Sequence, residues 1–476
     1  MKRARANRHH RARTNGPHPS SYRWVNPRTQ YHWGRQFKVG ASITVKGCRL
    51  FAVIVGGVLS LDDVRLGGKC IFYRVDVNSP LEPSTGAFLD DSRLRAILPT
   101  LRSMNNSKIV MIGHQSRPGK SDFTNMSQHA DRISRLLGKT VKFVPDICGD
   151  EAIKAIEELN IGEILFLDNI RIHDDENSMK KASPEVTASS EIVTKLAPYI
   201  DVYVTDAFAA AHRNSPSLTG FAEVVPCVAG RLMAAEVNCL QIAVNDPPRP
   251  YVAVLGGTKC DDSLRVAKNL IDKGIVDTIP VVGVVGNLML WASGIDIGEW
   301  NKNFIRNAHG EIFESTWEMA VYLIENHSEI FLLPIDVAIC VDDKRVAKSI
   351  ENLPTEYPIY DIGIATMMAM RPLILDAGCI LWNGPASYFE KSGFAFGTIE
   401  ILNMCCETSA VTIVGGGHTS ALVSNRGVAD QVTHNSTGGG SVLSLLSGEF
   451  MPVIDALERS KAKYATILDS LETKNP

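Results

Sequence analysis

Arginine and histidine residues follow four apolar runs in the first half of the chain. Arg74 stands near the end of the first run, His114 follows the second, Arg171 the third and His212-Arg213 the fourth. A guanidinium group grips phosphate or carboxylate through two parallel hydrogen bonds. A single Arg in a loop is usually a solvated surface charge, but its repetition after successive runs indicates a pocket for a small polyanion.

Further polar residues accompany these cations. Asp76 and Asn78 follow the first run, and both can exchange hydrogen bonds with a substrate hydroxyl. Asp76 has a second interpretation, in which it only orients a neighbouring Arg. Arg93 opens the next helical segment and is a further candidate for anion binding.

Three glycine-rich segments lie in the second half of the chain. They are Gly256-Gly257-Thr258-Lys259, Gly415-Gly416-Gly417-His418-Thr419 and Ser436-Thr437-Gly438-Gly439-Gly440-Ser441. Glycine lets the backbone approach phosphate oxygens, and a following helix offers free N–H groups. A single loop of this kind can also be a tight turn in a packed sheet, whereas three together indicate a nucleotide-binding site. None follows the P-loop or dinucleotide pattern.

Two parallel sheets are needed to position these residues. Short apolar runs without alternation are typical of strands buried on both faces, and ligands bind beyond the carboxyl ends of such strands. The predicted strands are Ile71–Val77, Lys108–Gly113, Glu163–Leu167, Asp201–Thr205, Tyr251–Leu255, Thr278–Val282, Cys379–Trp382 and Val411–Val414. The predicted helices between them include Asp91–Met104, Met126–Leu137, Glu151–Leu159 and Val228–Val244. The fold class is therefore α/β, with two doubly wound, mostly parallel-sheet lobes joined by a connecting helix.

The predicted domains follow from these elements and from the charge distribution. We expect a basic leader at 1–58, an acid-binding lobe at 59–227 and the connecting helix at 228–245. A nucleotide-binding lobe then occupies 246–445, and a C-terminal segment at 446–476 is expected to pack back towards the first lobe.

The first 61 residues carry 12 of the 49 Lys and Arg residues and no acidic residue. The remaining 37 basic and 52 acidic residues give the rest of the chain a net charge of −15. Residues 1–45 lack apolar periodicity and are predicted to be disordered. Three interpretations stay open, namely an arm that binds nucleic acid, a transit peptide, and a start annotated too far upstream.

The ten cysteines are scattered through apolar segments without a Cys-x-x-Cys pair. This usage predicts a reducing compartment with no disulfide framework and no zinc site. The adjacent Cys405-Cys406 admits a redox role, although burial in a core is favoured. No apolar run approaches the roughly 20 residues that span a bilayer, so no membrane span is predicted. We expect a cytoplasmic monomer.

Taken together and in order, these motifs resemble those of phosphoglycerate kinase. The resemblance runs from about residue 59 to about residue 457 and is nearest to the archaeal branch. It is carried by Arg74-Val75-Asp76-Val77-Asn78-Ser79-Pro80, His114-Gln115-Ser116-Arg117-Pro118, Asp206-Ala207-Phe208-Ala209-Ala210-Ala211-His212-Arg213, Leu255-Gly256-Gly257-Thr258-Lys259, Trp382-Asn383-Gly384-Pro385, Gly415-Gly416-Gly417 and Ser436-Thr437-Gly438-Gly439-Gly440.

The resemblance implies reversible phosphoryl transfer between ATP and 3-phosphoglycerate, giving ADP and 1,3-bisphosphoglycerate, with Mg²⁺. It implies that the acid is bound by Arg74, Asp76, Val77, Asn78, Arg93, His114, Gln115, Ser116, Arg117, Arg171 and Arg213. It implies that the nucleotide is bound by Lys259, Glu390, Gly416, Gly417, His418 and Thr419. The implied catalytic residues are Arg93, Lys259, Gly439 and Gly440.

Three positions depart from the common family pattern, and all are on the nucleotide side. Ser263 replaces a usual Lys, His418 replaces an Asp that helps to hold Mg²⁺, and Val282-Gly283-Val284 replaces a glycine-richer segment near the adenine. The metal ligands are therefore left unassigned and ATP preference is open.

Two alternatives to the kinase remain at this stage. One is a nucleotide- or nucleic-acid-binding protein of the same fold with weak catalysis. Nucleic-acid binding is expected only if the basic leader is part of the native protein. The other is a kinase for a different phosphorylated carboxylic acid, which the Arg cluster alone would permit.

Overall fold

The computed structural model describes residues 58–471, together with two short strands, β1 (Ser42–Val45) and β2 (Cys48–Phe51), which pair antiparallel. The predictions for the basic leader at 1–58 therefore fall almost entirely outside the described residues. Among residues 58–471, no helix is both long enough and apolar enough to cross a bilayer.

The first sheet has six parallel strands in the order β5-β6-β4-β3-β7-β8. These strands are β3 (Cys70–Arg74), β4 (Lys108–Ile112), β5 (Val141–Phe143), β6 (Ile164–Phe166), β7 (Val202–Thr205) and β8 (Cys227–Ala229). Its helices are α1 (Ser92–Ala96), α2 (Leu98–Ser103), α3 (Ser127–Leu137), α4 (Asp150–Glu157), α5 (Asp174–Ser178), α6 (Pro184–Ala188) and α7 (Glu191–Leu196). Within this sheet β3 comes first in the chain. The strands β4, β5 and β6 are added on one side of it, and β7 and β8 on the other, so the direction of strand addition reverses at β3.

One long helix, α8 (Arg231–Asn245), leads from the first sheet to the second. The helix was predicted to begin at Val228, and it begins three residues later. The reason is that Cys227–Ala229 pairs with β7 as an edge strand, after which Gly230 takes the position preceding the helix.

The second sheet contains the parallel strands β17-β16-β15-β9, and isolated bridges from β9 extend it to β10 and β11. A separate antiparallel sheet has the order β13-β12-β14, which the sequence patterns did not predict. The strands are β9 (Tyr251–Leu255), β10 (Ile279–Pro280), β11 (Phe331–Leu332), β12 (Asp336–Val341), β13 (Lys344–Ser349), β14 (Ile359–Ile362), β15 (Cys379–Asn383), β16 (Val411–Gly415) and β17 (His434–Asn435).

The remaining helices cover the second sheet or follow it. They are α9 (Cys260–Asp272), α10 (Gly283–Ala292), α11 (Glu299–His309), α12 (Phe313–His327), α13 (Ile364–Leu375), α14 (Phe396–Glu407), α15 (Gly417–Asn425), α16 (Gly440–Leu446), α17 (Pro452–Lys463) and α18 (Ala465–Leu471). The last two pack on the first sheet, where Cys227 N donates to Ser460 Oγ at 2.8 Å. The predicted fold class is confirmed, while the domain boundaries stay predictions.

One predicted helix is divided in two. Asp91–Met104 was expected to be continuous, but α1 ends before Ile97 and α2 begins at Leu98. Pro99 lies in the first turn of α2, and a proline has no N–H with which to continue the hydrogen bonding of a preceding helix. The short helix α1, which carries Arg93, is thereby separated from α2.

Candidate active site

Four arginines surround His114 beyond the carboxyl ends of the first sheet. Arg74 Nη2 lies 3.3 Å from His114 Nδ1. Burial, followed by the charges of Arg74, Arg171, Arg213 and Arg93, holds the pKa of His114 well below its ordinary value. The imidazole is therefore neutral at neutral pH, and the positive charge of this pocket comes from the guanidinium groups.

Arg74 and Arg171 occupy different depths of this cluster. Arg74 is fully buried, and it donates to Ser217 Oγ at 3.0 Å and to the carbonyl oxygen of Val75. Arg171 is half-buried and donates to the Ser116 carbonyl oxygen at 2.7 Å. Burial and the neighbouring arginines lower the pKa of Arg171 to about 10, so it is still protonated at neutral pH. An anion that bound here would relieve this repulsion.

Arg93 forms an ion pair with Asp76. This contact matches the interpretation in which Asp76 orients an Arg. A second nitrogen of the same guanidinium group, Nη2, lies 3.5 Å from the carbonyl oxygen of Thr437, which belongs to the third glycine-rich segment. Arg93 thus makes one of the contacts between this arginine cluster and the second half of the chain.

Ser116 links two of the predicted acid-binding residues. Its N–H donates to Asn78 Oδ1 at 2.7 Å, and its carbonyl oxygen accepts the hydrogen bond from Arg171. Its φ of +54° is unusual for a residue with a side chain, and such conformations often occur at ligand sites. Its hydroxyl donates to Asp122 Oδ1 at 2.5 Å, which holds this strained turn in place.

Two predicted site residues point inwards and a third is exposed. Val77 lies in the core of the first lobe. Gln115 is fully buried and bonds to both backbone groups of Ser79, through Oε1 at 3.1 Å and Nε2 at 2.9 Å. Both side chains support the neighbouring backbone, leaving little for a ligand to contact. Arg117 is exposed and close enough to Arg171 to lower its pKa.

The loops after β9 and β15 interlock at the second sheet. Gly256 N donates to the Asn383 carbonyl oxygen and Gly257 N to that of Pro385, both at 2.8 Å. Gly384 has a φ of +90°, and a Cβ there would overlap the Gly256 carbonyl oxygen. This close approach requires glycine, and it positions Lys259 immediately before α9.

The loop after β16 carries four of the predicted nucleotide-binding residues, and Glu390 lies beside one of them. Gly416 has a φ of +84° and precedes α15, whose first turn contains Gly417, His418 and Thr419. The His418 side chain is 74% exposed, and its Nδ1 lies 3.7 Å from Glu390 Oε1. The free N–H groups and the positive dipole end of α15 therefore lie beside a carboxylate and an imidazole.

An amide oxygen that sequence reasoning did not single out adjoins this loop. Asn383 Oδ1 is buried without a hydrogen-bond partner among the described residues. A Cβ built on Gly415 or on Gly416 would lie 3.1 Å from it. Its place in the motif Trp382-Asn383-Gly384-Pro385 was the available signal.

A second contact joins the two halves of the candidate site. His212 Nδ1 lies 2.7 Å from Ser441 Oγ, and Arg213 Nε donates to His212 Nε2 at 3.1 Å. Gly439, with a φ of +53°, and Gly440 precede Ser441, so the third glycine segment adjoins the arginine cluster. The sequence patterns included His212 among the polar residues after the apolar runs and Ser441 in the third glycine-rich segment, but neither was assigned a binding role.

A family model for phosphoglycerate kinase matches residues 61–449. The chain belongs to the phosphoglycerate kinase family. Phosphoglycerate kinases from Methanobacterium bryantii and Methanothermobacter thermautotrophicus are 42% and 41% identical to it. These alignments cover 85% and 84% of this chain and 98% and 97% of the relatives. The predicted family, its archaeal character and the phosphotransferase class are confirmed.

A solved structure of the same family has the same fold. The crystal structure of phosphoglycerate kinase from Pyrococcus horikoshii OT3 superposes with a TM-score of 0.78 at 34% sequence identity. The superposition covers 85% of this chain and 100% of that one.

Two positions that depart from the common family pattern are buried beside the glycine loop after β9. Ser263 is buried on α9, and its hydroxyl donates weakly to the Gly256 carbonyl oxygen at 3.4 Å. Val282 is fully buried before α10, and its Cγ2 lies where it would meet a side chain at Gly256. Both residues pack against the loop rather than face solvent.

Proposed function

We propose that this chain transfers a phosphoryl group reversibly between ATP and the carboxylate of 3-phosphoglycerate. The observation that carries this proposal is that an arginine cluster meets the third glycine-rich segment, through the Arg93–Thr437 and His212–Ser441 contacts. A polyanionic acid and a nucleotide phosphate are the ligands that these two surfaces fit.

The arginine cluster would hold the acid. Arg171, Arg213 and Arg117 supply charge at the accessible side, and the neutral imidazole of His114 supplies a hydrogen bond. Arg74 acts behind His114, because its own donors are occupied within the protein. Asn78 and Ser116 fix the turn from which these groups project.

No general base is required by this reaction. The attacking carboxylate has an ordinary pKa of about 4 and is already ionised at neutral pH. Catalysis then consists of alignment and of neutralising the charge on the phosphoryl group. Arg93 and Lys259 are the proposed cationic contributors, and the backbone N–H groups of Gly439 and Gly440 are the proposed neutral ones.

Mg²⁺ prefers oxygen ligands and usually keeps several waters. His418 offers a nitrogen, but Glu390 Oε1 lies 3.7 Å from its Nδ1, and the buried Asn383 Oδ1 lacks a partner among the described residues. Asn383 Oδ1 and a Glu390 carboxylate oxygen are therefore the protein groups that would hold an ion bound together with the nucleotide. When bound, the ion supplies charge neutralisation on those phosphates.

A coupled assay tests the proposal. Full-length protein with ATP and 3-phosphoglycerate should form ADP when Mg²⁺ is present and stop when it is chelated. Arg93→Ala and Lys259→Ala should each lose at least about 100-fold in kcat, since each removes a group that acts on the transferring phosphoryl group. Normal turnover by both variants would refute these roles.

The control variants remove cations from α1, which carries Arg93, and from α9, which directly follows Lys259. Arg95→Ala lies on α1 and pairs with Asp91, and Lys268→Ala lies on α9 and pairs with Asp272. Both should keep nearly full activity. A panel of other phosphorylated acids distinguishes 3-phosphoglycerate from a different acceptor. The expected cytoplasmic location and monomeric state stay predictions.

A further inference from the structure

Cys148, His173 and Glu191, none of which belongs to the candidate active site, bring a thiol, an imidazole and a carboxylate together. Each offers one ligand atom, and these atoms all lie within 4.8 Å of one another. Cys148 lies in the loop before α4, His173 precedes α5, and Glu191 opens α7. Because the three come from separate segments, no motif spacing in the sequence reveals them, and the sequence predicted no zinc site.

We propose that these three side chains bind a divalent cation of borderline softness, such as Zn²⁺. Thiolate, imidazole and carboxylate are the ligands that Zn²⁺ takes in proteins, usually four in tetrahedral geometry. Mg²⁺ and Ca²⁺ prefer oxygen ligands only and do not suit a thiolate. A water would supply the fourth ligand from the exposed side.

The carboxylate is placed to complete the group. Glu191 Oε1 accepts from Lys195 Nζ at 2.6 Å, whereas Oε2 faces His173 Nε2 at 3.6 Å. Asp175 Oδ2 accepts from Glu191 N at 2.8 Å, which holds the start of α7 against α5. The thiol is buried while the Glu191 side chain is 52% exposed, so an ion can enter beside the carboxylate and reach a protected sulfur.

Ion binding requires two proton movements. Burial, with the nearby Glu191 charge, raises the pKa of the Cys148 thiol to about 11, so the ion displaces that proton into solvent. His173 Nδ1 accepts from Asp175 N at 3.2 Å, which leaves the ring proton on Nε2. Coordination through Nε2 moves this proton to Nδ1 and gives up that hydrogen bond. The opposing cation is Lys195, which has to share Glu191 with the ion.

A bound ion would cross-link three segments of the first lobe. His173 stands two residues after Arg171, and Asn177 Nδ2 donates to both their carbonyl oxygens, at 2.8 Å to Arg171 and 3.2 Å to His173. An ion on His173 would therefore hold the segment that carries Arg171. Since it would bind the folded state only, it should raise the melting temperature by mass action.

Titration of the full chain with Co²⁺ tests the proposal, because Co²⁺ replaces Zn²⁺ and a cobalt–thiolate bond gives a near-ultraviolet charge-transfer band. Wild-type protein should develop this band at one equivalent of Co²⁺ and lose it when Zn²⁺ is added. Cys148→Ser should lack the band. The matched control is Cys70→Ser, whose thiol pKa burial likewise raises to about 11 but which is not part of the group. It should keep the band.

Two exposed-side variants keep the test decisive if Cys148→Ser folds poorly. His173→Gln and Glu191→Gln should each weaken Co²⁺ binding at least about tenfold, and Zn²⁺ should raise the melting temperature of the wild type more than theirs. Absence of the band in the wild type would overturn the proposal. So would an equal band in Cys148→Ser, because the thiolate would then belong to another cysteine.

Discussion

At the scale of single residues, the arginines of the cluster around His114 differ in their partners and in their burial. Arg74 is buried with its donors occupied, and Arg93 is paired with Asp76. Arg171 gives one hydrogen bond to a backbone carbonyl and remains half-buried among other cations. Because burial and neighbouring cations lower the pKa of Arg171, an anionic ligand would relieve repulsion at this side chain.

Arg171→Ala should therefore weaken binding of 3-phosphoglycerate. Losing one charge-assisted hydrogen bond costs about 1.5–3 kcal/mol, which corresponds to about a 10- to 100-fold fall in kcat/KM for the acid. The fall should appear mainly as a higher KM for the acid, with the KM for ATP little changed. Steady-state kinetics measure both. As a control, Arg102 is an exposed arginine on α2, and Arg102→Ala should leave kcat/KM for the acid and both KM values near those of the wild type. An unchanged KM for the acid in Arg171→Ala would contradict the proposed role of Arg171 in acid binding.

At the scale of elements, a buried carboxylate joins the connecting helix to the third glycine segment. Glu236 on α8 accepts from Ser436 Oγ at 2.6 Å and from Thr437 N at 2.8 Å, and it pairs with His434 at 2.7 Å. Burial opposes the charge on His434, but hydrogen bonds with Cys239 and Glu236 prevail and raise its pKa to about 10. The imidazolium is thus part of the folded structure at neutral pH.

The Glu236–His434 pair should make the free energy of unfolding fall as the pH becomes alkaline. The pKa of His434 is higher in the folded state than its unfolded value of 6.5, so its contribution is fully present below about pH 6.5. It is lost as the pH rises through about 10. Wild-type protein should lose about 1.5–3 kcal/mol of unfolding free energy over that range, the value of a charged hydrogen bond. Urea unfolding at pH 6.5, 8 and 10 measures this dependence.

The matched variants separate this pair from general alkaline effects. His434→Gln should be less stable at pH 6.5 and show a flatter dependence. His327→Gln, at the end of α12, should retain the wild-type slope. A wild-type slope in His434→Gln would show that another group carries the dependence.

Eight parallel strands and the residues at their ends were predictable because buried strands form continuous apolar runs, whereas the short parallel strands β5, β8, β11 and β17 were not predicted. The antiparallel β12–β14 sheet was not, since Lys344–Ser349 is largely exposed and polar. Within the site, Arg74 was indicated by its residue type near a strand end, whereas Gln115 was implied only by the family resemblance. Only the fold shows that Gln115 turns inwards to Ser79. The His212–Ser441 contact joins residues 229 apart in sequence, and no local pattern can specify such a pair.

At the scale of the whole molecule, the chain passes twice between the first and the second parallel sheet. It leaves the first sheet through α8 and returns after α16, and its last helices cover the edge strand β8. Covering an exposed strand edge satisfies its backbone groups and prevents pairing with another chain. Leu468 on α18 is completely buried in the core of the first lobe, and Leu471 accepts a backbone hydrogen bond from Arg65 at 2.6 Å.

The first lobe should consequently depend on residues at the far end of the sequence. Leu468→Ala should cost about 2–5 kcal/mol, because it leaves a cavity in that core. Its neighbour Ile467 is 49% exposed, and Ile467→Ala should change stability by less than about 0.5 kcal/mol. Urea unfolding followed by circular dichroism compares the two.

If unfolding shows two transitions, adding 3-phosphoglycerate identifies the one that includes the first lobe, since a ligand raises the stability of the unit that binds it. That transition should move to lower urea in Leu468→Ala, while the other keeps its midpoint. Equal midpoints for the two variants would mean that the first lobe holds its core without α18. The C-terminal helices would then serve only to cover the edge of the sheet.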